Sequence, residues 1–262
     1  MQTEKGTRLR RAVAVLVMLA VLPIGALAQG LELAEGIRGM QVYPQGASEE
    51  QAAYLFRYEY PQFAVQSPPD EAINAYYRAI CEDMGQLPIP QSVAEMLEMR
   101  QTGEPAYYTA VTYQIMANTA EYLSVTLTSQ QFLGYSESDR IEGNVFARDG
   151  VYAGQMVTLS QVMGMEEEGG ELDANASYAS QLVYKLVWQI MMEQQASQQK
   201  DFFEGLAQAD LEAVFSPEMD FYLDGDHNLV FFIQAGGVAG EVEGILTYPF
   251  SRAELLSAVK NQ

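Results

Sequence analysis

The chain is poor in the residues on which much enzyme chemistry depends. It has one cysteine, Cys81, and one histidine, His227, among 262 residues. An intrachain disulfide is excluded, so an exported form has to be held by its core alone. A Ser-His-Asp triad or a zinc site with several imidazoles would have to be built on His227. That residue stands in Asp224-Gly225-Asp226-His227-Asn228, between two apolar runs, and reads as a turn. The same five residues begin like a calcium loop, but the sixth and twelfth positions are Leu229 and Ala235 in place of glycine and glutamate. Gly236-Gly237-Val238-Ala239-Gly240 follows a strand without a helix start or a lysine for phosphate. Carboxylates are abundant, but no spacing singles out a pair of the kind used to cleave glycans. No catalytic residue, metal or cofactor is expected. Cys81 has no His or Lys near it in sequence and reads as a buried, inert thiol.

Basic residues are scarce too, 14 against 35 acids, and four of them lie in the first 28 residues with a single acid. Lys5, Arg8, Arg10 and Arg11 precede an unbroken apolar run from Ala12 to Leu22. Pro23 and Gly25 follow, then small residues at Ala26 and Ala28. These are the three parts of a signal peptide over residues 1–28, with cleavage expected before Gln29. Retention as an anchor is the alternative, and membrane contact is expected only in that case. No cysteine follows the apolar run within the leader, which excludes a lipid-anchored lipoprotein. The expected location is extracytoplasmic, either secreted or at the cell surface or periplasm.

Without the leader, 10 basic and 34 acidic residues remain, a net charge of −24. Such a field repels nucleic acid and anionic lipid and favours cationic partners, although solubility alone also accounts for it.

The mature chain reads as α+β, with mainly antiparallel sheets and packed helices. Strands are expected near residues 37–43, 52–60, 107–117, 122–132, 141–147, 152–159, 219–223, 229–234 and 242–248. Tyr54, Phe56, Tyr58 and Tyr60 alternate onto one face. Leu123, Val125 and Leu127 are expected to face in, with Ser124, Thr126 and Thr128 facing out. Ser67-Pro68-Pro69-Asp70 announces a helix carrying Ile73, Tyr76, Tyr77, Ile80 and Met84 on one stripe. Further helices are expected near 92–100, 176–195 and 252–259. On the longest, Ala179, Leu182, Val183, Leu186, Val187 and Ile190 form a core stripe, while Tyr184, Trp188 and Met192 recur elsewhere at four-residue steps. A helix sandwiched between two layers explains this pattern. An aromatic contact patch is the other reading, and it makes Tyr184 and Trp188 the candidate binding residues.

Two stretches resemble known extracytoplasmic domains. Ala53-Tyr54-Leu55-Phe56-Arg57-Tyr58-Glu59-Tyr60-Pro61-Gln62-Phe63, followed by Asp70-Glu71-Ala72-Ile73-Asn74, is similar to the opening of the domain of unknown function numbered 4163. Met219 to Leu223, Leu229 to Phe232 and Tyr248-Pro249-Phe250-Ser251-Arg252-Ala253-Glu254-Leu255 resemble the ending of the domain numbered 3298. Tyr152 to Leu159 fits the step between them. This resemblance to RsiV/PdaC-type domains implies an N-terminal lobe over 29–133 and a C-terminal lobe over 134–262. The family includes the lysozyme-sensing ectodomain of the anti-sigma factor RsiV and a non-catalytic domain of the peptidoglycan deacetylase PdaC. Phe132-Leu133-Gly134-Tyr135-Ser136 and Gln234-Ala235-Gly236-Gly237-Val238 depart from the family motifs, so no family site carries over there.

The resemblance ranks a non-catalytic binding or sensor-type module of the bacterial cell envelope first. Its expected partner is a cationic protein or a cell-wall component, and lysozyme is the first to try. A peptidoglycan hydrolase or accessory domain stands second, and a structural or assembly component third.

Overall fold

The computed structural model describes residues 30–86, 91–100, 103–165 and 174–260; the expected signal peptide, with Ala26 and Ala28, lies outside them. Five strands form one sheet in sequence order: β1 (Ile37–Tyr43), β2 (Tyr54–Tyr60), β3 (Tyr107–Asn118), β4 (Tyr122–Phe132) and β5 (Glu137–Ala147). A second sheet is β6 (Phe221–Leu223), β7 (Leu229–Ile233) and β8 (Leu246–Phe250). The helices are α1 (Pro68–Gln86), α2 (Gln91–Met99), α3 (Leu159–Val162), α4 (Ala174–Ala196), α5 (Gln208–Val214) and α6 (Arg252–Lys260). The architecture is α+β. Among the described residues no helix is long and apolar enough to cross a membrane.

The antiparallel expectation holds for every named strand pair except one. β2 and β3 run parallel, Tyr54 beside Tyr107, because α1 and α2 together carry the chain back to the same end of the sheet. The larger sheet is therefore mixed.

The tyrosine face of β2 looks onto α1. Phe56, Tyr58 and Tyr60 form a run of rings with centroids 5.6 and 6.0 Å apart, and Tyr60 continues it to Tyr77 at 5.9 Å. Gly39 on β1 leaves room for the run, since a Cβ there would lie 2.1 Å from the Tyr58 ring. Ile73 and Tyr77 are fully buried on α1, with Cys81 nearly so. Asn74 fastens the helix to the loop before it, accepting from the Phe63 amide at 2.9 Å and donating to the Phe63 carbonyl at 2.8 Å.

The opposite face of the larger sheet carries the smaller sheet at its β4–β5 side. Ser124 and Thr126, expected to face solvent, are buried there instead. The Ser124 hydroxyl accepts from the Leu223 amide at 3.0 Å, which satisfies both polar groups. Gly143 on β5 is the point of closest approach, where a Cβ would sit 1.9 Å from the Phe221 carbonyl oxygen. Nearby, the Gln234 side chain accepts from the Ile141 amide at 3.1 Å and donates to the Ile141 carbonyl at 2.6 Å. The division expected at residues 133/134 falls between β4 and β5, which are neighbours in one sheet.

Residues 152–159 do not form the expected strand. Gly154 has φ +82° and backs onto α1, where a Cβ would meet the Ala72 methyl at 2.9 Å. Thr158 then starts α3, its hydroxyl accepting from the Gln161 amide while the Gln161 side chain accepts from the Thr158 amide at 2.9 Å. Only a single bridge, Phe146 to Met156, remains. β8 begins later than expected because residues 241–243 make a helical turn that ends at Gly244 with φ +67°.

Candidate binding cleft

Between α4 and β6 the chain makes a turn and a short helix that leave an open cleft on the surface. Phe202 is buried and bridges to Ala239, and the Phe203 amide donates to the Val238 carbonyl at 3.0 Å, so the turn is tied to the loop after β7. Gly205, at φ +75°, reverses the chain. α5 then begins with the Asp210 carboxylate accepting from the Ala207 amide at 2.8 Å. Leu211, fully buried, and Phe215, immediately after the helix, anchor it to the core.

With those inner residues fixed, Phe203 and Val214 are left on the outside, 45% and 42% exposed. They line the cleft with Leu206, Ala213 and Gly237, and Glu204 and Asp210 complete its wall. Its volume is about 310 Å³. Gly237 keeps the floor open, because a Cβ there would come within 3.2 Å of Ile233 and 3.6 Å of Val214.

The stretch of chain that builds the cleft carries charge of one sign. Residues 201–251 contain ten acids and neither lysine nor arginine. Lys200, at the edge of this stretch, is committed to Glu243 at 2.8 Å. That ammonium holds the Glu243 carboxyl below its usual range, first through the hydrogen bond. Arg252, at the other edge, donates to the Val162 carbonyl at 2.5 Å and lies over the Tyr122 ring. Asp220 is half-buried, and desolvation raises its carboxyl above the usual value even though the Ser216 amide donates to it at 2.6 Å.

Tyr184 and Trp188 lie behind this region on α4. The Tyr184 hydroxyl donates to the Phe215 carbonyl at 2.9 Å, and its ring meets Phe215 edge-on at 5.7 Å. Trp188 is half-buried against the larger core. Neither lines the cleft.

The remaining polar groups of interest are engaged in holding the fold. Glu218 accepts from the Ser160 amide and hydroxyl at 3.0 and 2.8 Å and from the Ser180 hydroxyl at 2.7 Å, clipping α3 and α4 to the segment before β6. Asp224 accepts from the Asp226 and Asn228 amides, both at 2.9 Å, and His227 takes φ +62° at that hairpin tip. Burial pushes the Cys81 thiol up and so away from the reactive thiolate. Among the described residues no group of three or more His, Cys, Asp or Glu side chains is placed to hold a metal ion.

No family model matches the chain, and no curated protein matches it in sequence. Solved structures do. A DUF3298 family protein from Pseudomonas aeruginosa PAO1 superposes with a TM-score of 0.51 over 88% of this chain and 94% of its own, at 14% identity. A DUF3298 member from Bacteroides fragilis NCTC 9343 gives 0.52 over 89% and 100%, at 12% identity. The chain has the DUF3298 fold. At these identities the likeness is one of backbone architecture.

Sequence reasoning missed α5, and with it the cleft. A seven-residue helix is two turns long, too short for periodicity to reveal. The signal that was available is the absence of any cation over residues 201–251.

Proposed function

We propose that the mature chain is an exported, non-catalytic binding or sensor-type module of the bacterial envelope, and that its partner is a cationic protein or cell-wall component. The observation that carries this reading is an open cleft that sets Phe203, Leu206 and Val214 beside Glu204 and Asp210, in a stretch of chain with ten acids and no lysine or arginine. A charge of this kind speeds encounter with a basic partner, and the apolar surface supplies contact that salt does not screen. The leader over residues 1–28 and the resemblance to RsiV/PdaC-type domains support the envelope location and make lysozyme the first partner to try.

Titration with lysozyme at low and at physiological ionic strength tests the proposal. Saturable binding that persists at physiological salt is the expected result. Binding confined to low salt would reduce the acidity to a solubility feature. Incubation with peptidoglycan tests the absence of catalysis, and soluble fragments released with turnover would overturn it.

A further inference from the structure

Resting on that reading, we infer that the cleft between the turn at Phe203 and α5 is the docking site, and that its occupant is an extended cationic segment of a partner protein. The segment lays the stem of a lysine or arginine across Phe203 and Val214, with the charged head at Glu204.

Three features of the cleft point to this occupant. Its lining sets the apolar side chains of Phe203, Leu206 and Val214 beside the acids Glu204 and Asp210, and long basic side chains have the matching character, an alkyl stem that covers apolar surface beneath a solvated charge. Phe203 offers an aromatic surface to a cation, which is attracted by the ring face. The volume of about 310 Å³ is at the lower end of small-molecule sites, and the cleft lies open at the surface. A free metabolite would remain largely in water there, whereas a polypeptide brings further contacts on either side.

The charge decides between a protein and a lipid surface. With ten acids and no lysine or arginine over residues 201–251, the face repels anionic headgroups. The nearest cation in sequence, Lys200, is held by Glu243.

The test uses the whole mature chain with two synthetic probes of equal charge, an alternating lysine–leucine peptide and an oligolysine, at physiological ionic strength. The alternating peptide should bind the more tightly, since it supplies apolar contact as well as charge. Phe203→Ser combined with Val214→Ser should weaken it about ten-fold, the equivalent of roughly 1.4 kcal/mol. Glu204→Gln should weaken both probes and flatten the salt dependence. All three positions are exposed, so an unchanged melting temperature will show that the variants fold. Equal binding of the peptide to the parent and to the Phe203/Val214 variant would overturn the cleft while leaving a cationic partner intact. Failure of both probes and of lysozyme to bind at physiological salt would overturn the functional reading itself, and the cleft with it.

Discussion

The two larger hydrophobic cores among the described residues are built on different chemistry. The core beneath α1 is rich in tyrosine, with Tyr60 and Tyr77 fully buried beside Phe63 and Phe146. The core between the smaller sheet and α4 relies on phenylalanine and aliphatic residues, among them Phe215, Phe221, Phe231, Val183, Val187 and Met191. A buried phenol has to find a partner, so the first core carries a polar chain. Tyr77 donates to Asn144 at 3.3 Å, and Asn144 donates to Glu142 at 2.7 Å. Burial holds the Tyr77 phenol well above its ordinary pKa, so it stays a neutral donor. Such a chain fixes how α1 sits on the sheet, because a shifted helix would strand Asn144. The second core has few such constraints and is specified by shape.

The largest effect is expected where the two cores meet. Gly143→Ala would force a methyl against the Phe221 carbonyl at 1.9 Å, and the sheets would have to part. A loss of more than about 3 kcal/mol is expected. Chemical denaturation followed by tyrosine and tryptophan signals checks it. If only the tryptophan signal shifted, the cores would be uncoupled.

Removing one hydroxyl from each core should give opposite signs. Tyr77→Phe leaves the fully buried Asn144 with an unmet acceptor and should cost about 1–3 kcal/mol. The Tyr248 hydroxyl is buried without a hydrogen-bond partner among the described residues, so Tyr248→Phe should stabilise by about 1 kcal/mol. Melting temperatures of the two variants compare them directly. A loss of the same size in both would remove the distinction.

The smallest effect concerns pH. Desolvation raises the Asp220 carboxyl, so its protonated form is favoured in the folded chain. The stability this contributes is complete below the ordinary aspartate range and is lost as pH rises through the raised value. Melting temperature should therefore fall as pH rises out of the ordinary aspartate range. Asp220→Asn, which retains an acceptor for the Ser216 amide, should make that slope shallower. The change is modest because solvent screens a half-exposed group.

Much of this arrangement is legible in the sequence where local chemistry and tertiary structure agree. Ser67-Pro68-Pro69-Asp70 announces α1, and the alternation from Tyr54 to Tyr60 assigns the aromatic face correctly. The turn at Asp224 separates β6 from β7 as its composition requires. What was not legible depends on partners distant in the chain. Nothing local tells that β2 pairs parallel with β3. Ser124 and Thr126 look solvent-facing because the sheet that covers them begins at residue 221, nearly a hundred positions later. The cleft is hidden for the same reason, since α5 owes its position to Leu211 and Phe215 against a remote core.

The amide of Gln234 has a consequence for how the protein behaves in a crowd. An outermost strand normally offers its bare amides and carbonyls to any other strand, which is how sheets join between molecules. Along β5 that invitation is withdrawn one residue after another. Gln234 occupies both backbone groups of Ile141, and the Phe221 backbone crowds Gly143. The Val145 carbonyl accepts from Val157 at 2.7 Å, and the Ala147 amide donates to Gln155 at 3.1 Å. Beyond this stretch Asp139 and Arg140 place charge on the strand. A chain with no disulfide to lock it thus carries its own guard against polymerising through this edge, and the guard at Ile141 consists of a single side chain.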